Sequence, residues 1–434
     1  MDMTEFQSRR EELMEIMGKG SMAILSSAPK QIRNHDVHYP YRQASNFHYL
    51  TGFPEPDAIA VIMPQRQQGQ YILFCREQDD YDKTWNGKRA GLEGACEIYG
   101  ADDAFPITDI DDIIPGLMES CHSLYYPMGY SQTFDEQLMA WLNELRSRAN
   151  SGVVAPYEIL ALDHVLHEMR LFKSEAEIEA IRISVEIANR AHKRAMQLCS
   201  PGLYEYQLEA EIYHEFIRNG CRFPAFPTTV ASGKNACTLH YNDNNDILND
   251  GDLILIDLGA EYDSYASDIT RTYPTNGRFS PIQKAIYELV LKTQAAALEQ
   301  IYPGNQWNIP YQAAIETVTQ GMIELGLLIG ELETLIEEKA YERFYVPRIG
   351  HWLGIDVHDP GDYKIEGIWR ELEAGMVMTV EPGLYINPAE DIHQDWWNIG
   401  VRIEDDVLIT EWGHEVLTAD LPRTVRDIEK LMAK

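Results

Sequence analysis

Cysteine is sparse: six residues in 434, at 75, 96, 121, 199, 221 and 237, with no C-x-x-C pair among them. That excludes a disulfide-dense scaffold and reads as reduced, mostly buried thiols in a cytoplasmic protein. Long apolar runs are missing too, so no bilayer-spanning helix is expected. The opening MDMTEFQSRREELMEIM is amphipathic and charged, without the apolar centre of a signal peptide. Positive charge is scarce. Thirty-six Lys and Arg stand against 69 Asp and Glu, a net charge of −33. Such a surface repels phosphate backbones and anionic lipid, so neither nucleic acid nor a membrane is an expected partner. Repeats of solenoid period and low-complexity tracts are also absent.

What is present is a globular composition, 45% apolar with eight Trp and 24 Tyr, on a chain too long for one ordinary core. Up to about residue 172, short apolar runs (SMAILSS, DAIAVIMP, QYILFCRE) read as strands, and 5–18 and 134–148 as helices. Ser174 and Glu177 then form an S-x-x-E capping box at the head of a strongly periodic segment. The boundary is placed there, giving domains 1–172 and 173–434. In the second, helices at 174–197, 204–219, 281–299, 310–326, 332–340 and 424–432 surround β-rich stretches at 250–274 and 375–411. Helices followed by antiparallel strands predict an α+β fold.

The chemistry sits in those β-rich stretches. LILIDLGAEYDSYASDITRTYP carries Asp257 at the end of an apolar run and Asp268 eleven residues on. A hairpin turning at EYDS, with Ala260 facing Tyr265, pairs the two aspartates directly, their Cβ atoms ~4.5–5.5 Å apart. Two opposed carboxylates destabilise a hairpin unless a cation lies between them. The competing reading has Asp257 capping a strand end and Asp268 exposed. The C-terminal stretch favours the cation: Glu381 and Glu404 each follow a β-branched run, can oppose one another, and have Arg402 on the same strand face. Between the acidic pairs lies RIGHWLGIDVHDPG, with His351 and His358. Four carboxylates and an imidazole suit Mn²⁺ or a similar ion better than a thiolate-type zinc site. YNDNNDIL lacks the spacing of a calcium loop and reads as a turn. His164 and His167 have no third partner in the sequence and are assigned to packing or surface.

These motifs, in this order, resemble the methionine aminopeptidase/creatinase ("pita-bread") superfamily, and more narrowly the aminopeptidase P branch. The resemblance covers nearly the whole chain: TLHYN, LIDLGAEYDSYASDITRTYPTNGRFS, GHWLGIDVHD, MVMTVEPGLYI and GVRIEDDVLIT in the second domain, YPYRQASNFHYLTGFPEP in the first. It implies a C-terminal pita-bread catalytic domain preceded by a smaller mixed α/β creatinase-like domain. It implies two divalent ions, Mn²⁺ first, with Zn²⁺, Co²⁺ or Fe²⁺ as alternatives. Asp257 would chelate one ion, His351 and Glu381 the other, with Asp268 and Glu404 bridging. A bridging hydroxide would attack the amide before a proline, with Glu381 as proton acceptor. His240 and His358 would bind and polarise the substrate, and Arg402 would steady the carboxylates. Tyr385 and the His351-Trp352-Leu353 segment would border a pocket for the proline ring. Asp36 would lie near the substrate's amino end, and Trp85 would reach a neighbouring subunit's cleft, in a homo-oligomer (dimer or tetramer). Where many members carry another His four residues before the metal His, this chain has Pro347, with Ile349 in place of a small polar residue.

The expected activity is therefore a cytoplasmic metallo-aminopeptidase acting on proline-containing peptides. A prolidase restricted to Xaa-Pro dipeptides shares the same ligand set. A non-catalytic peptide-binding protein on this fold is disfavoured because all five ligand positions are intact.

Overall fold

Apolar runs that are buried on both faces order the first part of the chain. In the computed structural model, which describes residues 1–64, 66–119, 121–346 and 348–433, contacts divide the chain into two units, Met1–Met169 and Arg170–Lys434. The first holds strands β1 (Ser21–Ser26), β2 (Ile59–Ile62), β3 (Tyr71–Cys75), β4 (Asp103–Pro106), β5 (Ser123–Tyr126) and β6 (Glu158–Ala161) in one sheet of order β4-β3-β2-β1-β5-β6. The β1–β2 and β2–β3 pairs are antiparallel, and β1–β5, β5–β6 and β3–β4 parallel. Ile24, Val61, Ile72 and Phe74 pack with Ile114, Trp141 and Leu142 from covering helices. Asp36 sits in the exposed turn of a small hairpin, Ile32–Asn34 with Val37–His38. Trp85 lies on the helix Asp80–Asn86 and is 73% exposed.

The second unit begins three residues earlier than the capping box suggested, because Arg170 and Lys173 are drawn inward by the buried Asp359, at 2.5 and 3.2 Å. The box itself forms: Ser174 Oγ accepts from Glu177 N, and Glu177 Oε2 from Ser174 N. Its helix runs Glu175–Leu198. The other carboxylate oxygen of Glu177 accepts from Tyr265 OH at 2.8 Å, tying the helix start to the strands that follow.

Those strands are β7 (Thr229–Ser232), β8 (Leu253–Leu258) and β9 (Ile269–Pro274), antiparallel in the order β9-β8-β7. Their register corrects the sequence expectation by two residues: Asp257 faces Thr270, not Asp268. The cause is the turn. Asp263 and Ser264 both adopt positive φ (49° and 71°), so the tip lies between them and Tyr262 pairs with Tyr265. Two left-handed residues match the twist of a two-residue hairpin loop. Because the shift is even, both aspartates keep the same face, now on the longer diagonal. Ser264 pays a left-handed penalty that glycine avoids. Ser264→Gly should therefore stabilise this unit by about 0.5–1 kcal/mol and Ser264→Val destabilise it, which thermal melting of the two variants would check.

The last strands are β10 (Val377–Val380), β11 (Gly383–Ile386), β12 (Ile399–Arg402), β13 (Asp405–Thr410) and β14 (Gly413–Val416). One register runs through both halves of the long hairpin: Val380 faces Asp405 in β10–β13, and Gly383 faces Arg402 in β11–β12. Carried across the break, it sets Glu381 against Glu404. Pro382 occupies the gap and has no N–H for the ladder, which is why pairing stops there.

Candidate metal centre

The break in that hairpin and the interrupted end of β8–β9 face each other. Glu404 N donates to Thr270 O (3.1 Å), Arg402 N to Thr272 Oγ1 (3.1 Å) and Asp268 N to Asp406 Oδ2 (3.1 Å). A third segment adds to the free edge of β10: Glu381 N donates to Ile349 O, Thr379 N to His351 O and Leu353 N to Val377 O. Gly350 is required there, since a Cβ would lie 1.9 Å from Thr379 O.

These three pieces bring Asp257, Asp268, His351, Glu381 and Glu404 to one wall of a cavity of about 620 Å³. Oxygens of Asp268 and Glu404 and a nitrogen of His351 lie within 4.8 Å of one another, as a metal-binding group would require. His351 Nε2 stands 3.3 Å from Asp268 Oδ2 and 3.8 Å from Glu381 Oε1. Its Nδ1 lies 2.9 Å from Trp352 O. Donation to that carbonyl fixes the tautomer and leaves Nε2 as a lone-pair donor.

The electrostatics suit a cation. Burial, then Glu404 and Asp257, pushes the Asp268 carboxyl well above the ordinary range. Burial, then Glu381 and Asp257, does the same to Glu404, and burial raises Glu381 as well. Among the described residues, Asp257 Oδ1 and Asp268 Oδ1 are buried acceptors without a hydrogen-bond partner. Acidic oxygens crowded, desolvated and unpartnered fit divalent ions, which the protein alone does not replace.

Arg402 offsets part of that negative charge. Its Nη2 donates to Asp257 Oδ2 (2.5 Å), Nη1 to Tyr385 OH (3.0 Å) and Nε to Thr270 Oγ1 (2.9 Å). Thr270 Oγ1 in turn donates to Glu404 Oε2 at 2.7 Å. Burial alone would lower the pKa of this guanidinium, but Tyr385, Asp257 and Glu404 carry it well above its ordinary value.

His358 and His240 also line the cavity. The His358 ring meets His351 edge-on at 4.4 Å, and burial, His351, His240 and Arg348 together lower its pKa. His240 is exposed, on a loop held from below by the fully buried Glu205. That carboxylate accepts from Ser232 N, Ser232 Oγ, Asn235 Nδ2, Tyr241 OH and Asp246 N. Asn244 completes the support, bridging Val230 N and Thr228 O. Sequence reasoning missed Glu205 and Thr270. Neither lies in a distinctive pattern, and their importance is a matter of what folds against them.

Tyr385 is at the cavity. Trp352 and Leu353 are not: both are fully buried, Trp352 stacked on Tyr363 (ring centroids 5.5 Å, 6° between planes) and against Trp307. The alternation of the strand-like segment turns His351 toward the site and Trp352 into the core. Phe226, Leu239, Val346 and Val357 line the cavity instead. Asp36 and Trp85 belong to the first unit, and Pro347 lies outside the described residues.

Strands that set acidic residues and a histidine around a candidate divalent-ion site suit a metallopeptidase, and the chain belongs to metallopeptidase family M24, which residues 179–411 match. Residues 6–125 match the N-terminal domain of aminopeptidase P. The Xaa-Pro aminopeptidase of Haemophilus influenzae is 43% identical over 99% of this chain and 97% of its own length. An aminopeptidase structure from Pseudomonas aeruginosa superposes with a TM-score of 0.99 at 54% identity, covering 100% of this chain and 98% of that one. A zinc-substituted aminopeptidase P from Escherichia coli, in complex with product, gives 0.97 at 42% identity, with 100% and 98% covered. The fold is the two-domain arrangement of that branch, an aminopeptidase P N-terminal domain followed by a pita-bread domain.

Proposed function

We propose that this chain removes the N-terminal residue from peptides whose second residue is proline, with two divalent ions held by Asp257, Asp268, His351, Glu381 and Glu404. The observation that carries the reading is the convergence of orphaned buried acceptors, Asp257 Oδ1 and Asp268 Oδ1, with a lone-pair-bearing His351 Nε2 at an open cavity. Divalent ions bound there supply activation of water and polarisation of the scissile carbonyl.

The chain's own groups do the rest. Glu381, its carboxyl raised by burial and the least enclosed of the four at 27% side-chain exposure, is the group suited to take a proton and pass it to the leaving proline nitrogen. His358 and His240 hydrogen-bond the peptide where charge develops on its oxygen. Arg402 fixes Asp257 directly and Glu404 through Thr270. Phe226, Leu239, Val346 and Tyr385 offer apolar and aromatic surface to a proline ring, whose amide nitrogen carries no hydrogen to bond. From the first unit, Asp36 would serve the substrate's amino end and the exposed Trp85 a neighbouring subunit's cleft. Mn²⁺ as the ion, a dimer or tetramer as the assembly and the cytoplasm as the compartment complete the proposal.

Chelator-stripped protein resupplied with Mn²⁺, Zn²⁺ or Co²⁺ tests it, with release of the first residue followed from Gly-Pro and from a longer Xaa-Pro-Pro peptide. Metal-dependent cleavage of the longer peptide is expected. Cleavage of Gly-Pro alone would make the protein a prolidase, and no cleavage by folded, ion-binding protein would refute both.

A further inference from the structure

Two guanidinium groups line the cavity, and the fold treats them differently. All three donor nitrogens of Arg402 are engaged by Asp257, Tyr385 and Thr270. The Arg348 side chain is exposed and makes no hydrogen bond or ion pair with another described residue. It acts on Glu381, His358 and Tyr363 only through its field. Its backbone is nonetheless held. Arg348 N donates to Val346 O at 2.8 Å, and the next residue, the buried Ile349, accepts from Glu381 N at 2.7 Å. A fork of donors is thus carried at the mouth of an acidic cavity with no acceptor among the described residues.

We propose that Arg348 binds a carboxylate carried by the peptide substrate on the proline side of the cleaved bond. The inference rests on the peptidase reading above. The substrate's ammonium end is drawn to the acidic wall and repelled by Arg348, so an arginine here serves the opposite end. A guanidinium offers a planar pair of N–H groups that matches a carboxylate better than a carbonyl. The chain thereby favours short peptides through their C-terminal carboxylate, or peptides with an acidic third residue.

Turnover by the Mn²⁺-loaded protein separates the two sources. The pairs are Ala-Pro-Ala against its C-terminal amide, and Ala-Pro-Glu-amide against Ala-Pro-Gln-amide. In at least one pair the carboxylate should raise kcat/KM about tenfold, less at high salt. In Arg348→Gln that ratio should fall to about one. Calorimetric titration with the product pairs, Pro-Ala and its amide, Pro-Glu-amide and Pro-Gln-amide, should show the same preference without any turnover. If no peptide is cleaved, the peptidase reading fails and the titrations still decide the role of Arg348. A wild-type ratio near one in both pairs overturns the proposal. So does an Arg348→Gln variant that loses activity on every peptide alike while keeping the ratio, since that would mark a general effect on the acidic cluster.

Discussion

Replacing Asp268 by asparagine is expected to cut peptide turnover at least about 10³-fold and, in chelator-treated protein, to raise the melting temperature. The two effects have one cause. Asp268 is buried among Glu404, Asp257, Asp406 and Glu381, and its carboxyl is pushed well above the ordinary range. With ions present, its charge is a ligand. Without them, the charge is a liability that asparagine removes at nearly the same shape. The linkage sign follows. A carboxyl raised in the folded state holds more protons folded than unfolded, so its contribution favours the folded protein at mildly acidic pH. That contribution is lost as pH rises through the raised value. Ion-free wild type should therefore melt lower at pH 8 than at pH 6, with a smaller difference in Asp268→Asn. Adding Mn²⁺ should raise the wild-type melting temperature at pH 8 far more than the variant's. An ion-free variant that melts below wild type at pH 8 would show that Asp268 is held by the protein rather than by ions.

The largest loss of stability is expected at Arg271, which touches no substrate. This arginine is fully buried between the two hairpins. Its Nη2 donates to Asp405 Oδ1 (2.6 Å), Nη1 to Glu404 O (2.6 Å) and Nε to Pro422 O (3.1 Å). Arg271→Met removes these donors and leaves the buried Asp405 charge, among the described residues, with Gln294, Thr418 and the half-exposed Arg423. Breaking a buried pair from one side costs about 3–5 kcal/mol, roughly 10 °C for a unit of this size. Turnover should fall with it, because Arg271 holds the carbonyl of Glu404. Adding Asp405→Asn to Arg271→Met should recover part of the loss, since the unpaired charge is then gone. Melting curves of the single and double variants decide this, and equal melting of both would place the cost in lost packing instead.

Much of the centre was legible in the sequence because its cause is local. An apolar run that ends in a carboxylate is conspicuous, and three of these together with Asp268 and a Gly-flanked histidine leave few readings other than a metal. The periodic helices and the Ser174–Glu177 box were visible for the same reason: each is decided by residues within one or two turns. The hairpin from Glu381 to Glu404 could be anticipated because each glutamate follows a β-branched run.

The tertiary structure decided what depends on residues distant in sequence. The register of β8 and β9 turned on two left-handed residues, Asp263 and Ser264, and loops of different length satisfy the same hydrophobic alternation. Trp352 had the chemistry of a ring pocket, and only packing against Trp307 and Tyr363 assigned it to the core. Thr270, Glu205 and Arg271 carried no signal at all, since a buried polar residue acquires its role from the partners that folding brings to it. Arg402 could be read as a partner of the carboxylates, but that Arg348 is left open could not. Arg402 is buried against Asp257, Thr270 and Tyr385 while Arg348 is exposed, and two of those three partners lie on strands more than a hundred residues away.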